Sequence, residues 1–254
     1  MGSRFGLPIG LAVGAAVAIA CLHTAVAGEG QSANATETAP RTVVTPTPVQ
    51  AGKVAATVPP SAKPTPTSSA GPVKQADGKV VYLTFDDGPD PHWTPEVLAV
   101  LQAHNAHGTF FMLAEHANEH PDLVDQVRAA GNSIGNHSVS HPQLPKLSPA
   151  QLHHQVADGV RSKCFRPPYG ATNAAVRAEI RRDGMQQVLW DVDPQDWARP
   201  GTATIVQRAL AGAHPGAIIL MHDGGGNRAQ TVAALDQVLT ALSARGYTFA
   251  TLSC

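Results

Sequence analysis

The chain has 254 residues and almost balanced charge, with 18 Lys and Arg against 19 Asp and Glu and a formal net charge of −1 at pH 7. This length holds one large domain or two small ones. The balance gives no indication of a polyanionic partner such as nucleic acid, whereas a neutral polymer as substrate would leave no charge signature.

The N-terminus has the pattern of a signal peptide. Arg4 precedes an apolar stretch over residues 6–22, and Ala25-Val26-Ala27 then offers small residues for cleavage after Ala27. Residues 1–27 are therefore predicted to be a signal peptide. Two alternatives stay open: an uncleaved membrane anchor, because the stretch approaches the length that spans a bilayer, and lipidation at Cys21, which is a weak match. All three predict an exported protein.

Residues 28–77 consist mainly of Pro, Thr, Ala, Ser and Val, with almost no aromatic residue. A segment of this composition cannot bury enough apolar area to offset its chain entropy. It is predicted to be a disordered, semi-extended spacer. Such a spacer would hold the folded domain, residues 78–254, away from the membrane or carry it through a wall layer.

Only Cys164 and Cys254 remain after cleavage of the signal peptide. Two cysteines in an exported chain most often pair, and the alternative is two unrelated buried thiols. A bond between them would close a long loop, which stabilises a fold by roughly 4 to 5 kcal/mol in the chain-entropy model.

From Lys79 onward, short apolar runs alternate with segments of helical periodicity, which is typical of β/α units on a parallel sheet. The first strand is predicted over residues 80–83, and Thr94 with Pro95 is predicted to begin the helix after it. The last strand is predicted over residues 247–252. The other five predicted strands cover residues 109–113, 133–136, 164–166, 187–190 and 217–221.

Seven strands and six intervening helices are one unit short of the eight-unit barrel. We therefore predict an α/β fold with a distorted, incomplete β/α barrel, and an open doubly wound sheet is the alternative. In both folds ligands bind at the carboxyl ends of the strands. The unusual polar residues follow predicted strands at those ends, which favours a functional site over ordinary turn and core positions. They are Asp86, Asp87, His137, Arg166, Asp193 and His222.

Asp86 and Asp87 stand at the end of the first strand, just before Gly88 and Pro89. Two anions so close resist sharing one role, so one can hold a metal ion while the other moves protons. The alternative is an ordinary solvated turn, for which Asp, Gly and Pro are common.

His137 and His141 are four residues apart, a spacing at which both imidazoles can face one ion if the segment forms a helical turn. With one aspartate they would supply three ligands and leave coordination positions open. Because the chain has 12 histidines, two loop histidines are the alternative. The double aspartate at a strand exit favours the metal site.

Further residues complete the predicted rim. Arg166 begins a stiff turn with two prolines and can orient a carboxylate. A carboxylate near His222 would favour the imidazolium form. Asp196 and Asp223 are better explained as turn and capping residues. Gly224-Gly225-Gly226 is predicted to be a mobile loop, because the lysine and spacing of a phosphate loop are missing.

Together these segments resemble the polysaccharide deacetylase family, the NodB-homology domains of carbohydrate esterase family four. The resemblance spans residues 79–254 and rests on five ordered motifs. They are Thr-Phe-Asp-Asp-Gly-Pro at 84–89, His-Ser-Val-Ser-His at 137–141, Arg-Pro-Pro-Tyr-Gly at 166–170, Asp-Pro-Gln-Asp-Trp at 193–197 and Leu-Met-His at 220–222. The segment between His141 and Arg166 is shorter than is usual in the family, which leaves the local shape of the rim open.

The resemblance implies a metal centre and a base. Asp87, His137 and His141 would be the metal ligands, and Asp86 would be the general base, oriented by Arg166. The implied cofactor is a divalent ion, with zinc first and cobalt or nickel as alternatives.

The resemblance also implies an acid, an oxyanion donor and a pocket. His222 would be the general acid, supported by Asp193, and Tyr169 would offer its backbone N–H to the oxyanion. Trp197 and Leu220 would line the pocket for the acetyl methyl group.

The expected activity is removal of acetyl groups from N-acetylglucosamine units of a glycan. Peptidoglycan is placed ahead of chitin oligomers, because export and a spacer suit the cell's own wall. An O-acetyl esterase acting on acetylated xylan is one alternative, and a non-catalytic glycan-binding module is another. The expected partner is the glycan, with no nucleic acid and with membrane contact only through an uncleaved anchor. The protein itself is expected to be a monomer.

Overall fold

The computed structural model describes residues 78–254. The predicted signal peptide and spacer, residues 1–27 and 28–77, lie outside the described residues. Within residues 78–254, no helix combines the length and the apolar character that a membrane span requires.

Strands and helices alternate along the described residues, as the sequence predicts. The strands are β1 (Val80–Asp86), β2 (Gly108–Met112), β3 (Ser133–Asn136), β4 (Cys164–Phe165), β5 (Gln186–Gln187), β6 (Ile218–His222) and β7 (Thr248–Phe249). The α-helices are α1 (Trp93–Ala103), α2 (Ala114–Glu119), α3 (Pro121–Ala129), α4 (Pro149–Ala157), α5 (Ala174–Arg182), α6 (Thr202–Gly212) and α7 (Ala229–Ala244).

The strands form one parallel sheet in the order β5-β4-β3-β2-β1-β6, and β7 pairs with the start of β1. β1 lies between β2 and β6, and all its residues are buried. A parallel strand covered on both faces reads as a continuous apolar run, which explains the sequence of β1.

Residues 186–192 curl this sheet toward closure. Gln186 and Gln187 pair with β4, while Val192 forms a bridge with Ile219 of β6. One short segment therefore contacts strands that are far apart in the sheet order. The prediction of a distorted, incomplete β/α barrel is confirmed.

The two-residue period of β1 divides its side chains between two layers. Val81, Leu83 and Phe85 face outward and pack with residues of the helices. Thr84 and Asp86 lie on the inner face. An apolar layer from several strands and the C-terminal tail packs together on the same inner side. It is formed by Val80, Tyr82, Phe111, Cys164, Ile218 and Leu252.

The C-terminal tail leaves the sheet after Phe249 and enters the inner layer. The N–H of Leu252 donates to Thr109 Oγ1 at 2.9 Å. Cys254 forms a disulfide with Cys164, with the two Cα atoms 5.0 Å apart, which is the pairing expected from the sequence. The last strand is shorter than predicted, because the tail turns inward and bonds to a side chain.

The start of α1 differs from the prediction. Asp90 Oδ1 accepts the N–H groups of His92 and Trp93 at 2.9 and 3.0 Å. The Thr94 hydroxyl accepts the Asp90 N–H at 2.8 Å and donates to Asp223 Oδ2 at 2.6 Å. The prediction of Thr94 as the cap is wrong, because Thr94 already lies inside the helix and its hydroxyl binds Asp223.

The sequence also misses one short helix. In α2 only Ala114 is buried, so this helix has no apolar stripe that periodicity could detect. By contrast, Ser148 caps α4 in a capping box with Gln151, and Asn173 caps α5. Both caps agree with the predicted helix starts.

The disulfide is expected to contribute strongly to stability. Its cysteines are 90 residues apart, so Cys164→Ser/Cys254→Ser should lower the free energy of unfolding by about 4 to 5 kcal/mol in the chain-entropy model. Urea unfolding of the oxidised protein, the reduced protein and the double variant would measure this. The reduced protein should match the variant, and a variant as stable as the oxidised protein would contradict the prediction.

Candidate active site

The carboxyl ends of the strands bring the predicted polar residues together. Asp86 at the end of β1 is the register partner of His222 in β6. His137 directly follows β3, and Arg166 directly follows β4. All four residues are buried. Because parallel strands end at the same edge, these side chains converge on one rim.

Asp87, His137 and His141 form a group of three potential metal ligands. Their ligand atoms all lie within 4.8 Å of one another. Asp87 Oδ1 is 3.5 Å from His137 Nε2 and 3.3 Å from His141 Nε2. Among residues 78–254, this buried oxygen has no hydrogen-bond partner, and a bound cation would supply one. The residues therefore fit a divalent metal ion with open coordination positions.

An irregular loop brings the two histidines together, and the helical turn considered from the sequence does not form. Ser138 and His141 have φ angles of 77° and 62°. Asn136 Oδ1 accepts the Ser138 N–H at 2.8 Å, and Ser138 Oγ accepts the His141 N–H at 3.0 Å. Asp87 also has a positive φ, 73°. Two of the three potential ligands thus have a backbone conformation that residues other than glycine rarely adopt.

A backbone carbonyl sets the orientation of His137. Its Nδ1–H donates to the carbonyl oxygen of Arg166 at 2.7 Å, so Nε2 is the nitrogen that faces Asp87. A metal-binding imidazole needs such a free nitrogen, and the hydrogen bond on its other nitrogen selects the tautomer.

The charges in this group suit metal binding. Burial raises the pKa of Asp87, but its interactions with His137, and to a smaller extent with His222 and His141, outweigh burial and lower the pKa to about 2. Burial lowers the pKa of His141, and the Asp87 carboxylate offsets this only in part. At neutral pH the group therefore presents a carboxylate and a neutral imidazole, which are the forms that bind metals.

Asp86, unlike Asp87, has a strong partner. Arg166 Nη1 donates to Asp86 Oδ1 at 2.7 Å and to Thr84 Oγ1 at 2.8 Å. The guanidinium is fully buried and lies 4.0 Å from the centre of the Phe111 ring. The contact of Arg166 with Asp86 expected from the sequence is present, and this charge-assisted bond sets the orientation of the carboxylate.

His222 is held by Asp196, and the prediction that Asp193 supports it is wrong. His222 Nδ1–H donates to Asp196 Oδ1 at 2.8 Å, and the His222 backbone N–H donates to Asp196 Oδ2 at 2.9 Å. Thr231 in α7 also donates to Oδ2, at 2.8 Å. Burial lowers the pKa of His222, but the charge and hydrogen bond of Asp196 prevail and raise it to about 8.

A tight turn explains why the second aspartate takes this place. Gln195 has a φ of 58°, and its N–H donates to Asp193 Oδ1 at 2.8 Å. Asp193 therefore stabilises the turn, while Asp196 follows it and is 1% exposed. The sequence signal for this role is the Asp-x-x-Asp spacing, in which the first aspartate can make the turn. Thr231 has no such signal, because it lies within a helix.

The other predicted residues border the same rim. Tyr169 has a φ of 59°, and its ring centre is 4.4 Å from that of His141. Its backbone N–H has no protein acceptor within residues 78–254. Trp197 directly follows Asp196 and is 52% exposed, and Leu220 is buried in β6.

Asp223 is a buried carboxylate whose sequence pattern favours a turn or capping role. Its oxygen Oδ2 accepts a hydrogen bond from Thr94, and burial raises its pKa to about 7. A Cβ on Gly88 would lie 2.4 Å from this carboxylate. Asp223 therefore packs against the turn that carries Asp86 and Asp87.

A second group of potential ligands lies between α4 and α5. It contains His153, Glu179 and Asp183. Arg182 binds the Glu179 carboxylate, and its Nη2 lies 2.7 Å from His153 Nδ1. A protein cation already occupies this group, whereas no Lys or Arg within residues 78–254 forms an ion pair with Asp87. The Asp87 group is therefore the candidate metal centre.

Comparison with known proteins identifies the family. The family model described as polysaccharide deacetylase matches residues 73–188. A peptidoglycan-N-acetylglucosamine deacetylase of Bacillus cereus is 42% identical over 185 residues, which are 69% of this chain and 87% of that protein. A chitooligosaccharide deacetylase of Rhizobium leguminosarum bv. trifolii is 39% identical over 197 residues, with 70% of this chain and 92% of that protein covered.

A solved structure has the same fold. It is a family 4 carbohydrate esterase from Streptomyces lividans in complex with acetate, with a TM-score of 0.63 and 36% identity over 68% of this chain and 92% of that chain. The curled sheet with its polar rim is thus the fold of family 4 carbohydrate esterases. This chain belongs to the polysaccharide deacetylase family, and the family membership predicted from the five motifs is confirmed.

The partner of His222 can be tested by titration. In metal-free protein, Asp196→Asn should lower the pKa of His222 from about 8 to 6.5 or below, because it removes the charge that offsets burial. Asp193→Asn is the matched control and should change that pKa by less than about half a unit. NMR titration of the imidazole resonances checks both. If the pKa of His222 fell further in Asp193→Asn than in Asp196→Asn, Asp193 would be the residue that supports His222.

Proposed function

We propose that this chain is an exported, metal-dependent deacetylase that hydrolyses the N-acetyl group of N-acetylglucosamine units in a cell-wall glycan and releases acetate. One observation carries the proposal. The unpartnered Asp87 oxygen faces two imidazoles, while the neighbouring Asp86 and His222 each have a partner of their own. One rim thus offers a metal site, a base and an acid.

Two observations support a glycan outside the cytoplasm. The relatives are named for peptidoglycan and chitooligosaccharides, and a disulfide suits an oxidising compartment. We place peptidoglycan ahead of chitin oligomers, because the predicted signal peptide and spacer suit action on the cell's own wall.

Asp87, His137 and His141 would hold the metal ion. One carboxylate and two imidazoles suit zinc, which we propose first, and also cobalt or nickel. When bound, such an ion acidifies a water molecule and polarises a carbonyl oxygen.

Asp86 would accept the proton of the attacking water. Its Oδ1 is bound to Arg166, and its Oδ2 lies 3.6 Å from His137 Nε2. The second oxygen therefore faces the ligand group, where the water would be. A carboxylate that is already oriented needs no rearrangement before proton transfer.

His222 would donate a proton to the leaving nitrogen. An amine leaves poorly unless it is protonated, so the acid must be charged before the C–N bond breaks. Asp196 raises the pKa of His222 to about 8, so the imidazolium predominates at neutral pH. Because Nδ1 is bound to Asp196, Nε2 is the nitrogen available to the substrate.

Three further residues would shape the substrate site. The Tyr169 N–H, which has no acceptor among the described residues, would donate to the oxyanion. Trp197 and Leu220 would line the pocket for the acetyl methyl group.

Two alternatives remain distinct from this proposal. The same site could hydrolyse O-acetyl groups of xylan, which need less help from His222 because an alkoxide leaves more easily than an amide anion. A non-catalytic glycan-binding module could keep the fold and the metal. Acetate release distinguishes all three functions.

The first experiment measures acetate released from N-acetylglucosamine oligomers and from peptidoglycan, with zinc, cobalt or nickel restored after chelation. We expect release that depends on the metal. Acetylated xylan serves as the ester control. Acetate release from xylan alone would support the esterase function. No release from any substrate by folded, metal-loaded protein would support the non-catalytic binding module.

A second experiment distinguishes the proposed roles of Asp86 and Asp87. We expect Asp86→Asn to keep its metal content but to lose about 10²- to 10⁴-fold in kcat, because only the proton acceptor is removed. Asp87→Asn is the comparison and should lose the metal. Loss of metal from Asp86→Asn, measured by elemental analysis, would overturn this division of roles.

His222→Ala should distinguish amide from ester hydrolysis. We expect a loss of about 10²- to 10⁴-fold in kcat on an N-acetyl substrate and a smaller loss on an aryl acetate, whose leaving group needs no proton. Parallel kcat measurements on both substrates give the result. Near-normal amide hydrolysis would mean that another residue is the acid.

A further inference from the structure

The glycine loop, residues 224–226, packs directly against the turn that carries Asp87. A Cβ on Gly224 would lie 2.1 Å from the Asp87 carbonyl oxygen and 2.8 Å from the Gly88 nitrogen. Real Cβ contacts do not come this close, so only glycine allows the two backbone segments to meet. The prediction of a mobile loop does not describe this contact, which ties the loop to a proposed metal ligand.

Gly225 makes a second contact, with the carboxylate itself. Its φ is +73°, and a Cβ there would lie 2.7 Å from Asp87 Oδ2 and 3.2 Å from Arg228 Nη2. The carboxylate of Asp87 and the guanidinium of Arg228 thus both border the space beside Gly225. Both the positive φ and the lack of space favour glycine at this position.

Arg228 holds the loop from its other side. It is 4% exposed, its Nε donates to the Gly224 carbonyl oxygen at 2.6 Å, and its Nη2 donates to the Gly225 carbonyl oxygen at 3.0 Å. Within residues 78–254 no carboxylate lies close enough to Arg228, within 4.0 Å, to form an ion pair with it. A buried guanidinium whose hydrogen bonds go to two successive carbonyls determines the path of those peptides.

The Asp87 turn needs such support. Asp87 has a positive φ of 73°, which an aspartate keeps only where its surroundings impose it. From another side, His116 Nδ1 lies 2.9 Å from the Asp87 carbonyl oxygen. The turn is therefore held between a helix residue and the glycine loop.

We propose that Arg228 is a positioning residue for the metal centre. Through Gly224 and Gly225 it fixes the position of the Asp87 carboxylate, although within residues 78–254 it forms no ion pair with a proposed metal ligand. This inference rests on the proposed role of Asp87 as a metal ligand. Groups that orient metal ligands from outside typically change metal affinity by about 10- to 100-fold when they are removed.

The test compares two pairs of variants. Arg228→Met removes both hydrogen bonds, and Arg245→Met is its control, because Arg245 also donates to a backbone carbonyl, Leu210 O at 3.2 Å, at the far end of α7. Gly225→Ala places a methyl group against Asp87. Gly246→Ala is its control, since Gly246 has a similar φ of +79° but nothing within 4 Å of the added Cβ.

Zinc and cobalt affinities would be measured by competition with a chromophoric chelator, and melting temperatures in EDTA would report the stability of the metal-free fold. We expect Arg228→Met and Gly225→Ala to weaken binding by about 10- to 100-fold and both controls to remain within about threefold of the parent protein. A purely structural role would lower the melting temperature without changing affinity.

The outcomes distinguish failure of the positioning role of Arg228 from failure of the proposed metal-ligand role of Asp87. Near-parental affinity in Arg228→Met overturns the positioning role, while Asp87→Ala, measured in parallel, still shows whether the metal site exists. If Asp87→Ala also binds zinc normally, the metal-ligand assignment fails and the positioning role fails with it. If Arg228→Met does not fold, Arg228→Lys gives the decision, because a lysine keeps the charge but lacks the fixed pair of donors that Arg228 directs at the carbonyl oxygens of Gly224 and Gly225. Parental zinc affinity in Arg228→Lys would overturn the positioning role.

Discussion

Arg166 is the residue on which both parts of the site depend. Its side chain binds Asp86, and its carbonyl oxygen accepts the Nδ1–H of His137. One residue thus orients the proposed base and one proposed metal ligand. The cation is tolerated inside the barrel because Asp86 compensates its charge and Phe111 stacks against it. Removal of either partner of such a buried pair leaves an uncompensated charge, which is strongly destabilising.

The C-terminal tail connects this pair to the rest of the fold. Leu252 packs in the inner apolar layer with Phe111, the residue that also contacts Arg166. The disulfide joins Cys254 to Cys164, and Cys164 begins β4, the short strand that Arg166 directly follows. Residues 252–254 therefore help to pack the apolar layer that contains Phe111, the residue against which Arg166 lies.

Strand periodicity and the strand-end rule were sufficient to predict which polar residues share the rim, because both follow from the local pattern and the parallel topology. They could not predict that Asp196 binds His222 in place of Asp193, because this arrangement depends on the positive φ of Gln195. Positive φ angles at Ser138 and His141 likewise replace the helical turn that the spacing of the two histidines allows. Positive φ at residues other than glycine leaves no mark in composition or periodicity.

The proposed division of roles between Asp86 and Asp87 follows from a break in strand geometry. In a continued strand the two neighbours would point to opposite faces, so Asp87 would leave the rim that Asp86 faces. The positive φ of Asp87 turns its carboxylate back toward the imidazoles of His137 and His141. This turn is possible only where backbone can approach closely, and Gly224 provides that space. Two adjacent carboxylates therefore have different partners, Arg166 for Asp86 and the proposed metal ion for Asp87.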